Sequence, residues 1–352
     1  MKHQRDDQHI DIATAQTLFV TYAENFIGDL RKQKPSTIES YRDLLEYYIL
    51  DFVERTKLAD LRMHHFTTML HTLLDKDYAI SQIRTAINLA ARILDVALAN
   101  DLVPKNYAAL VRKDIPTNPE SIGKVLTVEQ TVRFLEHALW RYHDDGKPII
   151  ERGQKLPNRH ALGYWFYLPF GLRKGELLGL RWSSIDYDHQ LFTVDQQVRE
   201  LDGGCKLIPP KSEAAKRVLP LTPYLIELLR EHWRTQQAER LRWGLEWHEH
   251  GLVFPAENGN PKIPSNLLRE YKRILSAASI DADTRLHDFR HTAATRAGEH
   301  GMDEYVIAAM LGHGKKSVTR RSAKAMADQM RPTILIAERR YLDESAKKAS
   351  NS

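Results

Sequence analysis

A break in helical periodicity at residues 112–124, RKDIPTNPESIGK, is the feature that most restricts the fold. Pro116, Pro119 and Gly123 lie within it, and both residue types favour turns and exposed backbone. Divided there, the 352 residues supply two domains that are each long enough to bury a core. We therefore expect a first domain at residues 17–112, a linker at 113–124, a second domain at 125–340 and a tail at 341–352 that should fray.

Before the break, apolar residues recur with the three- and four-residue spacing of amphipathic helices. Four such patterns lie at residues 15–33, 34–53, 64–77 and 81–103, and the last should end near Asn100. In the second pattern, Pro35 precedes Ser36, which forms a capping-box signature with Glu39 three residues later. The first domain is thus predicted to be a small helical bundle.

Beyond the break the pattern is mixed. Thr127 opens a second capping box, and an apolar run that stops at Gly171 predicts a buried helix, with a short helix after it in RKGELLGL. The segment LFTVDQQVRE alternates as a strand does, LDGG is a hairpin-turn signal, and CKLIPP and KRVLPL read as further strands. Helices resume at Pro223. These patterns predict a mainly α fold with a small antiparallel β-sheet, an α+β class.

Composition limits the function classes. Hydrophobic residues make up 42% of the chain, which indicates a globular protein, and no apolar run reaches the ~18 residues that span a bilayer. The segment MKHQRDDQHIDIATAQ has no apolar signal core, and Cys205 alone cannot build a disulfide framework, so a cytoplasmic location is expected. The net charge of +5 permits an anionic partner without identifying one.

Side chains suited to phosphate chemistry fall in a few short segments. They are Arg173 and Glu176, three apart in GLRKGELLGLRW; Lys211, expected at a hairpin tip between proline-flanked strands; His287, Asp288 and Arg290 in RLHDFRHTAATRAGEHG; and His313, at a helix end in AAMLGHG. Taken singly, the first of these segments is more simply explained by a surface ion pair, and the histidine of the third can be a structural histidine. Together they supply cations, proton carriers and supporting carboxylates.

Two guanidiniums can grip the non-bridging oxygens of a phosphate and stabilise the extra charge of its transition state. A lysine can protonate a departing oxygen, and histidines carry protons near neutral pH. Arginine supplies the positive charge that a metal would otherwise supply. His248 and His250, the best metal candidates, are two residues apart and would face opposite sides of a helix.

Four segments in register resemble the motifs of the tyrosine recombinases, the phage-integrase family. They are PFGLRKGELLGLRWSSID for the first arginine box, PPKSEAAKRVLPL for the lysine hairpin, LHDFRHTAAT for the His-x-x-Arg box and MLGHG for the following histidine. The resemblance covers most of the chain. It implies a helical core-binding domain at 17–112 and a catalytic domain at 125–340 that together form a C-shaped clamp around duplex DNA.

The resemblance also implies a reaction: strand exchange at specific sites through a covalent 3′-phosphate link, without metal or nucleotide cofactor, by a homo-tetramer on paired sites. Such enzymes are bacterial or phage-encoded and act on nucleoid DNA. By the same resemblance, Arg173 and Arg290 bind the scissile phosphate, Lys211 protonates the leaving 5′ oxygen, His287 acts as acid and base, His313 holds the phosphate, and Glu176 and Asp288 support these side chains.

The departure from the family is the nucleophile. A tyrosine usually stands nine residues after the histidine of LGH, and counting from His313 gives Ser322, within SVTRRSAKA. A serine alkoxide is a far poorer leaving group than a phenolate, whose acid has a pKa near 10. The change either traps DNA uncleaved or marks decay to a DNA-binding protein. A relocated tyrosine is the less favoured alternative, since Tyr341 needs a different chain path and Tyr305 is expected to pack in its helix.

DNA contacts are expected outside the catalytic set as well. The candidates are Thr37, Ser40, Arg42 and Arg84 in the first domain and the basic run Lys315, Lys316, Arg320 and Arg321 after His313. Ordinary surface polarity is the simpler explanation for the first-domain residues. For the basic run the alternative is a solvated helix face, but its place next to His313 favours a DNA contact. Two other functions compete: a noncatalytic DNA-binding regulator, and a type IB topoisomerase, against which the compact helical first domain argues weakly.

Overall fold

Two units make up the chain, and they separate between residues 122 and 123 in the computed structural model. The structure describes residues 16–30, 35–116, 123–201, 204–210, 215–313 and 320–351. Each unit encloses its own core of aliphatic and aromatic side chains. Complete burial of one such side chain stabilises the fold by about 1.5–3 kcal/mol.

Amphipathic helices build the first unit, as the apolar spacing predicted. They are α1 (Phe19–Gly28), α2 (Pro35–Leu44), a π-helical turn (Leu45–Ile49), α3 (Leu50–Val53), α4 (Met63–Asp75), α5 (Ile80–Ala99) and α6 (Tyr107–Val111), with 3₁₀ turns at Leu58–Asp60 and Arg112–Asp114. Helix α5 contacts α2, α4, α6 and the π-helical turn, and its Ile83, Ile87 and Leu94 are completely buried. It is capped by Asn100, where the sequence predicted its end.

Helix α2 is described from Pro35 onwards, and the side chain of Ser36 lies outside the described residues, so its capping box with Glu39 stays a prediction. Proline suits the first helical position because its missing N–H would have no partner there. The capping box at Thr127 is confirmed: its hydroxyl accepts from the Gln130 N–H at 3.1 Å, and its own N–H donates to the Gln130 side chain at 2.9 Å.

Helices also dominate the second unit. They are α7 (Val128–Ala138), α8 (Ala161–Phe170), α9 (Lys174–Leu178), α10 (Pro223–Trp243), α11 (Pro264–Ala277), α12 (Asp288–Glu299), α13 (Glu304–Leu311) and α14 (Arg320–Asn351), with 3₁₀ turns at Trp182–Ser184 and Gly244–Glu246. Helix α8 packs against α7, α9, α10, α12 and α14. Its Tyr164, Phe166 and Phe170 are buried, which fits a helix that is apolar on every side.

Seven short strands form three antiparallel sheets in the described part of the second unit. They are β1 (Ile150–Glu151), β2 (Gln154–Lys155), β3 (Ile185–Asp186), β4 (Leu191–Val194), β5 (Gln197–Leu201), β6 (Gly204–Ile208) and β7 (Arg217–Pro220). Strand β1 pairs with β2, β5 pairs with β6, and the third sheet has the order β3-β4-β7. The predicted α+β class with a small antiparallel sheet component is confirmed.

The segment LFTVDQQVRE is two strands and not the single predicted strand. It divides between Val194 and Gln197, and β4 and β5 belong to different sheets. The residues at the break bind other elements: the Asp195 carboxylate accepts from Arg181 at 2.6 Å, and the Gln196 amide donates to the Gly179 carbonyl at 2.8 Å. The predicted hairpin at LDGG is confirmed by the register Leu201↔Gly204, although residues 202 and 203 lie outside the described part.

The predicted lysine hairpin needs a correction. Strand β6 pairs with β5 and β7 pairs with β4, so the segment that joins β6 to β7 connects two sheets. Pro209 and Pro210 end β6, since proline cannot donate to a strand ladder. Lys211 itself lies outside the described residues.

Helix α14 runs to Asn351, so the prediction of a frayed tail is wrong. Its buried residues recur every three or four positions at Ala327, Met330, Ile334, Ala337 and Tyr341. This stripe packs the helix against α7, α8, α12, α13 and β7. Among the described helices, none combines the length and apolarity needed to cross a membrane.

Candidate active site

The turn after α8 presents the first candidate arginine. Gly171 adopts φ 58°, and a Cβ at this position would lie 2.7 Å from Leu311 Cδ2 and 3.1 Å from Arg290 Cγ. Glycine is therefore needed here for both its left-handed backbone and its lack of a side chain. Two residues later, Arg173 caps α9 with 39% of its side chain exposed.

A buried carboxylate ties two arginines together. Glu176 Oε1 accepts from Arg173 Nη1 at 2.8 Å, and Glu176 Oε2 accepts from Arg217 Nη2 at 2.8 Å and from the Arg173 backbone N–H at 2.9 Å. Burial alone would raise the pKa of Glu176, but the charges and hydrogen bonds of Arg217 and Arg173 outweigh it and lower that pKa to about 2. Glu176 is thus a fixed anion that orients both guanidiniums.

Arg290, on the first turn of α12, links the remaining segments. Its Nη1 donates to the Gly171 carbonyl at 2.7 Å, and its Nη2 donates to the Leu311 carbonyl and to His313 Nε2, the latter at 2.8 Å. Burial and the charges of Arg173 and Arg217 lower the pKa of Arg290 to about 9. It still carries its charge at neutral pH, in a position where an added anion would relieve the repulsion.

His313 follows Gly312, whose φ of 72° ends α13 as the sequence predicted. Burial, and then the charges of Arg290, Arg173 and Arg217, lower the pKa of His313 below 6.5. The imidazole is therefore neutral near pH 7, and its Nε2 can accept from Arg290. His313 is exposed, so an incoming ligand can reach it.

His287 and Asp288 occupy the start of α12, as expected for the His-x-x-Arg box. His287 is the exposed capping residue, and burial followed by the charges of Arg290 and His291 lowers its pKa. Asp288 is buried and accepts from the Arg285 N–H at 2.8 Å and from its guanidinium at 3.0 Å. Asp288 thereby fixes the turn from which His287 and Arg290 project.

Arg217 was not among the predicted site residues. It is buried on β7 and reaches Glu176, the Met310 carbonyl and the Ala215 carbonyl at 2.8, 2.7 and 3.1 Å. A signal was available, because strand alternation places residue 217 on the same face as the buried Leu219. An arginine at a buried strand position needs acceptors inside the protein.

The described charges of this cluster do not balance. Three guanidiniums, from Arg173, Arg217 and Arg290, share the one carboxylate of Glu176, while Asp288 is paired with Arg285. The surplus lies beside two neutral, exposed imidazoles. Such a site favours an anion that accepts two hydrogen bonds at once, and phosphate is one of the anions whose oxygens match guanidinium geometry.

The structure describes only some of the remaining site candidates. Lys211, Lys315 and Lys316 lie outside the described residues, and so do the side chains of Arg320 and Arg321 in the first turn of α14. Ser322 is the third residue of α14, and its side chain is exposed.

The two tyrosines considered as replacements for Ser322 differ in their exposure to solvent. Tyr341 is only 3% exposed, and burial raises its pKa to about 12. Its phenol faces the core of its own unit, which argues against a nucleophile. Tyr305 was expected to pack within α13, but 67% of it is exposed, so that expectation is wrong.

Predicted DNA contacts in the first unit fall on two helices. Thr37, Ser40 and Arg42 lie on α2, and Arg42 approaches Glu24 at 4.0 Å. Arg84 on α5 donates to the Pro116 carbonyl at 3.0 Å, which gives it a structural partner. Ser40 belongs to a surface cleft of about 570 Å³ whose other lining residues were not predicted: Asp43, Leu44, Tyr47, Tyr48, Ser81, Gln82 and Thr85.

A second polar cluster lies at the start of α8 and was also missed. Buried Lys262 donates to His160 Nδ1 at 2.8 Å and to Glu270 at 2.6 Å, and Arg159 donates to the Pro255 carbonyl at 3.1 Å and to Glu239. A cavity of about 770 Å³ opens beside it. Its charges are paired internally, which contrasts with the cationic surplus around Arg290 and indicates a structural role.

Comparison with known proteins identifies the family. Residues 140–327 match the model of the phage integrase family. The chain belongs to the phage integrase family. A tyrosine recombinase XerC-like protein of Caldanaerobacter subterraneus subsp. tengcongensis is 28% identical over 302 residues, which cover 82% of this chain and 73% of that protein. The family resemblance drawn from the four motifs is therefore confirmed, and the chain is by family a site-specific recombinase.

Solved structures of integrases share the fold. The Tn1549 transposon integrase in complex with transposon right end DNA matches with a TM-score of 0.71 at 17% identity, over 89% of this chain and 99% of that chain. A lambda integrase tetramer bound to a Holliday junction matches with a TM-score of 0.58 at 17% identity, over 90% of this chain and 78% of that chain. At such identities the likeness establishes the fold of this phage integrase.

Proposed function

We propose that this chain binds duplex DNA at specific sites and holds one backbone phosphate between Arg173, Arg290 and His313, in the site with which a recombinase of its family cleaves and rejoins strands once a tyrosine stands at position 322. The observation that carries the proposal is the surplus of positive charge around Glu176, with three guanidiniums and two neutral imidazoles drawn from separate segments. A phosphodiester brings the missing negative charge. The clamp around DNA stays a prediction.

Binding and transition-state stabilisation fall to the same side chains. Arg173 and Arg290 would donate to the non-bridging oxygens, and Arg290 would exchange its bond to His313 Nε2 for one to phosphate. As phosphorus becomes five-coordinate, the negative charge on those oxygens grows, so fixed donors stabilise the transition state more than the ground state. Because Glu176 and the Gly171 carbonyl hold the two guanidiniums in place beforehand, little reorganisation is required.

Proton transfer is assigned to the histidine and lysine of the set. With a phenol at position 322, the oxygen would bond to phosphorus as the bond to the 5′ oxygen breaks, and its proton would pass to His287. The lowered pKa of His287 keeps its imidazole neutral and able to accept near pH 7. Lys211 would give a proton to the leaving 5′ oxygen. Rejoining reverses each transfer.

Ser322 decides whether cleavage occurs in the present sequence. A serine is shorter than a tyrosine by an aromatic ring, and its alkoxide leaves phosphorus far less readily than a phenolate. We propose that the chain grips its target phosphate and leaves the strand intact. A noncatalytic DNA-binding regulator derived from an integrase is the second candidate function, and Ser322 is the observation that favours it.

Restoring the tyrosine separates the two functions. Ser322→Tyr is incubated with a nicked duplex, from which the freed 5′ fragment diffuses away so that a covalent protein–DNA adduct accumulates. Ser322→Phe supplies the ring without the hydroxyl and is the matched control. The recombinase proposal expects an adduct from the tyrosine variant alone. An adduct from the unaltered chain would show that our reading of position 322 is wrong, and none from Ser322→Tyr would favour the regulator.

The proposal also covers the assembly of the protein on DNA and its location in the cell. We expect a homo-tetramer on paired sites, a cytoplasmic location, and DNA binding that weakens steeply with salt as counterions are released. Duplexes for these assays come from selection out of a random pool. Recombination of paired sites, compared with relaxation of supercoiled DNA, distinguishes a recombinase from a type IB topoisomerase.

A further inference from the structure

Arg217 contacts the two helices next to Arg173 and His313, and also the chain just before its own strand. Its Nη2 donates to Glu176 on α9 at 2.8 Å, its Nε donates to the Met310 carbonyl on α13 at 2.7 Å, and its Nη1 donates to the Ala215 carbonyl at 3.1 Å. The side chain is only 5% exposed. No other residue in the described part of the second unit joins α9, α13 and the approach to β7 through hydrogen bonds of one side chain.

We propose that Arg217 is a positioning residue that sets the distance and orientation between Arg173 and His313 without contacting the phosphate. The inference rests on the proposed function of the site. Met310 lies three residues before His313, and Glu176 lies three residues after Arg173. Arg217 is therefore hydrogen-bonded within three residues of both His313 and Arg173. A displacement of about 1 Å at such a contact is enough to lower a rate about a hundredfold.

The chemistry of the position requires a guanidinium. Arginine presents its donors in a rigid planar fork, so one side chain can satisfy a carboxylate and two carbonyls in different directions. The Met310 carbonyl belongs to the last turn of α13, where carbonyls lack partners within the helix and the helix dipole is negative. Arg290 caps the adjacent Leu311 carbonyl, so two cations together hold the helix end from which His313 projects.

Arg217 also acts through its charge. His313 is faced by Arg217 on β7, by Arg173 at the start of α9, and by Arg290 and His287 at the start of α12. Loss of the Arg217 charge, and any drift of His313 away from Arg290, both remove repulsion from the imidazolium. Both effects raise the pKa of His313, whereas a purely structural arginine elsewhere would leave it unchanged.

The test uses two variants. Arg217→Met removes all three contacts and the charge, and Arg217→Lys keeps the charge on one ammonium group in place of the planar fork. Arg159→Met is the matched control, because Arg159 is another largely buried arginine that donates to a glutamate and a carbonyl in the same unit. Thermal unfolding, DNA affinity and the single-turnover rate of adduct formation are measured in the Ser322→Tyr background. The pKa of His313 is measured by NMR titration in the unaltered chain and in each Arg217 variant.

We expect Arg217→Met to lower the rate of adduct formation about a hundredfold, with DNA affinity within about threefold, and to raise the pKa of His313. Arg217→Lys should restore part of the rate and bring the pKa of His313 back most of the way to its value in the unaltered chain. Arg159→Met should lose comparable thermal stability and keep its rate.

Several outcomes would overturn the inference. The first is an Arg217→Met variant whose rate of adduct formation, or whose His313 pKa, equals that of the parent. The second is an Arg159→Met variant that loses as much rate as Arg217→Met. If Arg217→Met does not fold, the third is an Arg217→Lys variant that reacts at the parent rate. If the Ser322→Tyr parent itself forms no adduct, the proposed function fails instead, and the NMR titration still decides the role of Arg217.

Discussion

Glu176→Gln removes one charge at the centre of the site and changes almost nothing in shape. The carboxylate is 2% exposed and is shared by Arg173 and Arg217. The fall in the pKa of Glu176 from its usual 4.5 to about 2 corresponds to about 3 kcal/mol of stability at neutral pH. Loss of a buried partner of Arg217 falls in the same range, about 3–5 kcal/mol.

The pH dependence of this loss is the sharper part of the prediction. Because the pKa of Glu176 is lower in the folded than in the unfolded chain, its stabilisation is present above about pH 4.5 and is lost as the pH falls towards 2. The difference in stability between the parent and Glu176→Gln should therefore shrink by about 1 kcal/mol between about pH 7 and about pH 3.5.

Chemical unfolding followed by tryptophan fluorescence measures this difference in the relevant unit. All six tryptophans lie between residues 140 and 247, so the signal reports the second unit. Glu227→Gln, which breaks the exposed Arg230 pair, is the control and should cost under about 1 kcal/mol. A Glu176→Gln penalty below about 1 kcal/mol, or one that is constant with pH, would refute the reasoning.

Three further predictions concern the same unit. Gly171→Ala should destabilise it by about 2 kcal/mol or more in thermal or chemical unfolding, because alanine is strained at φ 58° and its Cβ meets Leu311; a neutral effect would contradict this. Arg290→Gln should lower the slope of log DNA affinity against log salt by about one, measured by fluorescence anisotropy, and an unchanged slope would place Arg290 away from phosphate. Tyr341→Phe in the Ser322→Tyr background should leave adduct yield unchanged, since Tyr341 is buried; loss of the adduct would make Tyr341 a participant.

Local patterns predicted much of the fold. The capping box at Thr127, the stop of α8 at Gly171 and the stop of α13 at Gly312 are fixed by residues adjacent in sequence, so periodicity and capping rules found them. The pairing Arg173–Glu176 was also local, three residues along one helical turn.

The features that the sequence did not predict depend on hydrogen-bond partners that are distant along the chain. The division of LFTVDQQVRE depends on Arg181 and Gly179, which bind Asp195 and Gln196 from another segment. The role of Arg217 depends on Glu176 and Met310, which are distant in sequence. The stripe that packs α14 was visible in the sequence as apolar residues three and four apart from Ala327 to Tyr341, but the helix continues beyond it to Asn351, which this pattern did not predict.

The most direct measurement is a crystal structure of the full chain bound to a duplex selected from a random pool. We predict one backbone phosphate with its oxygens about 3 Å from the guanidinium nitrogens of Arg173 and Arg290 and from an imidazole nitrogen of His313. A bound duplex whose phosphates all lie beyond reach of these three side chains would contradict it.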